Sequence, residues 1–152
     1  MLFRSSVEVS PWTAEGAESA LSQWLESNTL PDAIFTMNDL LGAGALRALS
    51  RAQIRVPEDV LVSSWDDTVL SRFSTPALTT ISPDTHAIAH EAVQGLIALI
   101  EGRGGAGGKQ APTSPEEQSN EESNASSADL PHAVADVTVS HTLTIRRSTL
   151  RA

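Results

Sequence analysis

Residues 31–83 (PDAIFTMNDLLGAGALRALSRAQIRVPEDVLVSSWDDTVLSRFSTPALTTISP) constrain the fold more than any other stretch of this chain. Residues 33–37 (AIFTM) form a short, continuously apolar run, the signature of a strand covered on both faces of a parallel sheet. A helical stripe follows over 40–52, with Leu41, Ala45, Ala48, Leu49 and Ala52 on one face. Asp39 is read as its cap. The turn Val56-Pro57-Glu58-Asp59 leads into a second apolar strand at 60–64, which ends in Trp65-Asp66-Asp67. One or two helical turns over 68–73 and an extended stretch at 79–82 complete the run. Strands alternating with helices predict an α/β fold with a parallel sheet flanked by helices. The carboxyl ends of such strands open onto a ligand crevice, so polar residues placed there are the first candidates for function.

The flanks extend this pattern. Residues 7–10 alternate weakly and suit a short strand, broken by Ser10-Pro11. Thr13 is a good N-cap for a helix over 14–26, although Gly16 stands where a capping box would need Glu. Ala17, Leu21, Trp24 and Leu25 share one stripe of that helix. Asp84 caps the longest helix, running to Glu101, with Ile88, Ala92, Gly95, Leu96 and Leu99 in line. Residues 102–133 contain no Val, Ile, Phe or Trp. Such a segment buries too little apolar area to offset its ordering entropy, and is read as a disordered acidic Gly/Ser/Pro-rich insertion. Alternating Val137, Val139, Leu143 and Ile145 then predict one or two closing strands within 134–152 of the same domain.

Charge narrows the function classes. Ten Lys and Arg against 19 Asp and Glu give a net charge of −9. Nucleic-acid binding needs a basic footprint, and only Arg146 and Arg147 stand together. The absence of cysteine removes disulfides, thiol catalysis and Cys-ligated zinc. Residues 1–12 hold no secretory signal, and nothing approaches the ~20 apolar residues of a membrane span. A soluble, cytoplasmic protein with no membrane association is expected.

Asn38 and Asp66 follow successive predicted strands. Asn offers a donor and an acceptor, and Asp accepts hydrogen bonds from adjacent hydroxyls or ring nitrogens, which suits a polyhydroxylated ligand. Helix capping and turn formation explain the same residues without a ligand. Trp12 and Trp65 are stacking platforms or core residues. Gly42-Ala43-Gly44 lacks the third glycine of a dinucleotide fingerprint and lies inside the helix, so close packing is the better reading. His86 and His90 lack the acidic neighbour of a metalloprotease helix, and Ser63, Ser64, Asp66 and His86 have no nucleophile-elbow sequence around them. Neither enzymatic activity nor a cofactor or metal is expected.

The blocks PDAIFTMNDLLGAGALRAL, RVPEDVLVSSWDD, STPALTTISP and LTIRRST, with VSPWTAEGAESALSQWLES upstream, closely resemble the C-terminal part of the effector-binding domain of LacI/GalR-type transcription factors. The resemblance covers nearly everything except residues 102–133. It implies a periplasmic-binding-protein-like fold in which two α/β lobes close on a small effector, usually a sugar or a purine. Carried over by position, Trp12 stacks on the effector, Asn38 and Asp66 hydrogen-bond it, and Trp65 takes a place where the family usually has Tyr or Phe. Leu46 and Leu49 are placed at a homodimer interface. Ser64 stands where the family usually has Gly, and Pro83 where sugar-responsive members often have a polar contact. The helix at 84–101 packs, in the family, on a lobe not found in these residues. Operator DNA is reached through a helix-turn-helix that is also not found here. A transport-type solute-binding protein shares the fold and is the alternative.

Overall fold

The computed structural model describes residues 5–101 and 137–151. The expected insertion at 102–133 lies outside the described residues. The chain divides into two units, residues 1–83 with 140–152, and residues 84–139.

The first unit follows the expected alternation of strands and helices: α1 (Ala14–Ser27), β1 (Ala33–Phe35), α2 (Asp39–Arg51), β2 (Leu61–Trp65), α3 (Val69–Phe73), β3 (Thr79–Pro83), β4 (His141–Thr144) and a 3-10 turn at Arg147–Thr149. The strands form one sheet in the order β1-β2-β3-β4. Ala33 pairs with Leu61 and Ser63 with Thr79, both in parallel. β4 is antiparallel to β3, with Pro83 opposite His141, so the sheet is mixed. The alternation of Val137 and Val139 does not extend β4 toward the N-terminus, because β3 ends at Pro83 and leaves residues 137–140 without a ladder.

Local chemistry sets the helix starts. The Thr13 hydroxyl accepts from Gly16 N–H at 3.0 Å and caps α1. At α2 the cap is Asn38, whose Oδ1 accepts from Leu41 N–H at 2.8 Å; Asp39, the expected cap, is instead fully buried. Either residue of an Asn-Asp pair can cap, and here the one closer to the strand does so.

The core lies between α1, α2 and one face of the sheet. Leu21, Ala45, Leu46, Ala48 and Leu49 from the helices meet Val60, Val62 and Leu78. Leu46 and Leu49, expected at a dimer interface, are 7% and 0% exposed, and both side chains pack inside the unit. Gly44 permits the closest approach of the two helices. A Cβ there would stand 2.1 Å from the Ala14 carbonyl oxygen and 2.8 Å from the Ala17 Cβ, which supports packing rather than nucleotide binding as the reason for the Gly-Ala-Gly sequence. Gly44→Ala should therefore push α1 away from α2 and cost about 1–3 kcal/mol, the usual penalty of overpacking. Urea denaturation followed by tryptophan fluorescence checks this; an unchanged midpoint would show that the helices part without penalty.

Two strands differ from expectation. Residues 7–10, expected as a short strand, form none and pair with nothing among the described residues. β1, expected to be covered on both faces, has exposed Ala33 and Phe35 flanking a half-buried Ile34.

In the second unit, α4 (Thr85–Ile100) starts at Asp84, whose side chain accepts from Ala87 N–H at 2.9 Å. None of its residues is buried, and Val93, Leu96 and Ile100 are 54%, 58% and 76% exposed. No helix among the described residues is long and apolar enough to cross a membrane.

Candidate functional site at the carboxyl edge of the sheet

β1 and β2 pair in parallel, so Asn38, just past β1, and Asp66, just past β2, lie at the same edge of the sheet. Trp12 lies just before α1, whose first residue, Ala14, packs against Gly44, five residues into α2. Ala14 abuts Gly44, and Glu18 bridges Arg47 and Arg51 at 3.1 and 2.8 Å, so α1 and α2 run side by side in one direction. Trp12 precedes α1 as Asn38 precedes α2. Trp12 is 61% exposed, and Trp65, at the end of β2, is 37% exposed with its ring centroid 6.1 Å from that of His141.

The four residues differ in what they have left to offer. Asn38 uses Oδ1 as a cap, which leaves its amide N–H₂ as a donor. Asp66 sits at φ 110°, a left-handed conformation that few side chains tolerate and that turns the chain sharply after the strand. Its backbone N–H donates to Ile81 at 3.0 Å, and its carboxylate takes no hydrogen bond from the described residues. Partial desolvation, and then the negative charge of Asp39, push that carboxyl above its ordinary value. Among the described residues Asp66 is thus an acceptor held at the rim with no hydrogen-bond donor to its carboxylate.

Beneath the rim lies a polar hub that the sequence reading missed. Asp39 is fully buried and accepts from the Ser64 hydroxyl, from Thr68 N–H (2.6 Å) and hydroxyl (2.9 Å), and from the Thr80 hydroxyl (2.9 Å). One carboxylate therefore ties the start of α2 to β2, to β3 and to the loop that carries Asp66. Ser64, inside β2, supplies one of these donors. A second tie closes the loop from the other side. Arg146 donates to Asp67 at 2.6 Å, to the Ser71 hydroxyl at 3.2 Å and to the Leu78 carbonyl at 3.0 Å. The buried Ser148 hydroxyl donates to the Val62 carbonyl at 2.6 Å and accepts from Thr79 N–H at 2.8 Å. The only available signal for Asp39 was an acid at the start of a helix, already explained by capping. Arg146 carried no signal beyond its adjacency to Arg147.

No group of three or more His, Asp or Glu side chains that could hold a metal ion occurs among the described residues. The edge can accept hydrogen bonds through Asp66, donate one through Asn38, and offer indole faces. That combination suits recognition of hydroxyls on an apolar ring.

Comparison with known proteins places this geometry. The family model of the periplasmic binding protein-like domain matches residues 4–121. The HTH-type transcriptional repressor PurR of Haemophilus influenzae (strain PittEE) is 36% identical over 95 residues, covering 59% of this chain and 28% of the repressor. The ribose operon repressor of Escherichia coli (strain K12) is 38% identical over 85 residues, covering 56% of this chain and 26% of the repressor. Among solved structures, a LacI-family transcriptional regulator from Sanguibacter keddieii DSM 10542 aligns with a TM-score of 0.67 and 31% identity over 94% of this chain and 45% of its own. A LacI-family regulator from Arthrobacter sp. FB24, solved in complex with lactose, aligns with a TM-score of 0.64 and 30% identity over 91% of this chain and 42% of its own. The chain thus spans little more than a quarter of the length of these curated relatives. With the family match running over most of the sequence and the same mixed α/β layering in the solved neighbours, the chain belongs to the periplasmic binding protein-like domain family.

Proposed function

We propose that these residues form the C-terminal part of the effector-binding domain of a LacI/GalR-type transcriptional regulator, contributing half of a cleft for a small, neutral, hydroxyl-rich effector. One observation carries the reading: Asp66, at the carboxyl end of β2, presents a carboxylate with no hydrogen bond from the described residues. The Asp66 carboxylate accepts from two ring hydroxyls, the Asn38 amide donates to a third oxygen, and Trp12 and Trp65 cover the apolar face of the ring. The second lobe supplies the remaining burial on closure. The exposed apolar side of α4, within residues 84–101, is the surface that lobe covers, and residues 102–133 are an insertion between it and the closing strand. Closure shifts the population between states of different operator affinity. Operator contact belongs to a helix-turn-helix in other parts of such a regulator, and the net charge of −9 is consistent with that division of labour. Homodimerisation belongs to the same reading. The exposed Val69 and Phe73 of α3, at 61% and 82%, suit it better than the buried Leu46 and Leu49. The site works by binding, in the cytoplasm, without catalysis or cofactor.

Titration with lactose and with ribose, read by tryptophan fluorescence and calorimetry, tests this. Millimolar or weaker binding that disappears in Asp66→Asn is expected of half a cleft. Nanomolar affinity would mean that the site needs no second lobe, and binding indifferent to Asp66 would remove the proposed site.

Asp66→Asn has a second expected effect. The native carboxyl titrates above its ordinary value, so the folded state holds its proton to higher pH than the unfolded chain. Wild-type stability therefore falls as pH rises through the interval between the unfolded and folded values. Above that interval the ionised Asp66 opposes folding and Asn does not. Asn also tolerates positive φ. The variant should melt higher than the wild type at pH 7 and lose the advantage below pH 4. A lower melting point at pH 7 would show that Asp66 has a stabilising partner after all.

A further inference from the structure

The rim that carries Asn38 and Asp66 does not stop at β2. β4 runs antiparallel to β3, so its first residue, His141, lies at the carboxyl end of β3, opposite Pro83. Trp65, Ile81 and Leu143 are paired in register across β2, β3 and β4, and so share one face of the sheet. His141, two residues from Leu143 on the same strand, belongs to that face too. The Trp65 and His141 rings meet there, with centroids 6.1 Å apart and planes tilted by 33°. That is the spacing of an aromatic pair. His141 is exposed. Among the described residues no hydrogen bond or ion pair engages its ring nitrogens, so the neutral imidazole keeps one donor and one acceptor for a ligand. Indole and imidazole together form a ledge whose far end is polar.

We infer, building on the effector site proposed above, that this ledge seats a second ring of the effector: the site takes a neutral disaccharide, and His141 is the residue that reads the second ring. Length carries the inference. From β1, which Asn38 follows, to β4, which His141 begins, the rim crosses three strand spacings, about 14 Å in all. One six-membered ring with its hydroxyls fills the part between Asn38 and Asp66, which follow neighbouring strands. It does not also reach His141, two strands beyond Asp66. Two linked rings do. The chemistry along the rim suits sugars. Hydrogen-bonding groups stand at both ends, the Asn38 amide and Asp66 carboxylate at one and the His141 imidazole at the other. The indole of Trp65 lies between them and suits the apolar face of a pyranose. Charge favours a neutral ligand. Asp66 and the buried Asp39 are both acidic, and Arg146 is already committed to Asp67 at 2.6 Å, so a sugar phosphate or a sugar acid meets no free cation here.

The test titrates the full chain with lactose, maltose and cellobiose, and with glucose and galactose, read by calorimetry and by NMR of the histidine ring signals. At least one disaccharide should bind about tenfold or more tightly than the two monosaccharides, the gain expected of one further hydrogen bond and one ring contact. The His141 ring signals should move with that disaccharide and stay in place with the monosaccharides. His141→Ala should lower the affinity for the disaccharide by about tenfold and leave monosaccharide binding unchanged. The side chain is exposed, so the urea midpoint of the variant should match the wild type. Equal affinity for one ring and two overturns the inference, and so does a failure of all five sugars to bind. A His141→Ala variant that weakens both kinds of sugar alike overturns it as well, because His141 then lies on the first ring. Adenosine binding with the same loss in His141→Ala gives the ledge to a base and overturns the sugar class. Asp66→Asn separates this inference from the site beneath it. Sugar binding that disappears in Asp66→Asn but is equal for one ring and two removes only the second-ring seat. Sugar binding that survives Asp66→Asn removes the half-cleft, and the second ring with it.

Discussion

Asp39→Ala should lower the stability of the first unit by about 3–5 kcal/mol, the cost of removing one partner from a buried charged network. Native domains hold only about 5–15 kcal/mol in reserve, so a loss of this size takes a large part of it. The carboxylate is fully buried and gathers four donors, from Ser64, from Thr80, and twice from Thr68. Alanine leaves all four without an acceptor. Each unmet buried donor costs about 1–3 kcal/mol, partly recovered where water enters the space vacated. A graded series separates this mechanism from simple loss of volume. Asp39→Asn keeps the shape but turns an N–H₂ group toward at least one donor, and should cost about 2–3 kcal/mol. Ser64→Ala removes one donor and leaves the carboxylate three, so about 1 kcal/mol is expected. Urea denaturation of the three variants provides the ranking. Should Ser64→Ala cost as much as Asp39→Ala, the carboxylate would not be the hub and the loop carrying Asp66 would be held by something else.

Arg146→Met should cost about 2–3 kcal/mol and change the acid limb of the stability profile. The Arg146 and Asp67 side chains are 16% and 20% exposed, so the pair is screened less than a surface bridge and more than a fully buried one. Burial alone raises the Asp67 carboxyl. The hydrogen bond and charge of Arg146, with smaller help from Ser82 and Ser71, outweigh it and hold the carboxyl below its ordinary value. A carboxyl depressed in the folded state stabilises the protein above its unfolded value, and that stability is lost as pH falls through the folded value. In the wild type this contributes to acid unfolding. With Met at position 146 only the Ser82 and Ser71 hydrogen bonds oppose burial, so Asp67 moves upward and its contribution to acid unfolding shrinks. Denaturation midpoints for wild type and variant between pH 3 and pH 7 should therefore converge toward the acid end. A constant gap across that range would mean that Arg146 acts through packing of its stem and not through the ion pair.

Both variants bear on the site without touching a ligand. Asp39 and Arg146 hold the β2–α3 loop from opposite sides, and Asp66 sits on that loop at a backbone angle that its own side chain does not favour. Loosening either tie should relax φ at Asp66 and blunt whatever recognition its carboxylate provides.

The chain's own letters determined what is local. Hydrophobic period placed α1, α2 and β2 within a residue or two, because burial on one face repeats with the geometry of the element itself. Thr13 and Asp84 were readable as caps because the bond each makes spans three residues. The alternation of elements led to the α/β class and to the edge where Asn38 and Asp66 lie. Tertiary structure alone decided the rest. Arg146 meets Asp67 across 79 residues of sequence, and Ser148 meets Val62 across 86. Nothing in the neighbourhood of either residue announces its partner, since the pairing energy exists only once the sheet has brought the two ends together. Asp39 and Asn38 were indistinguishable as caps until the burial of Asp39 beneath Ser64 and Thr80 separated them. Leu46 and Leu49 showed an apolar face, but which surface that face meets depends on where α1 and the sheet come to rest. The AIFTM run announced a strand covered on both faces, a property of the polypeptide around it, and in the structure Ala33 and Phe35 stand exposed.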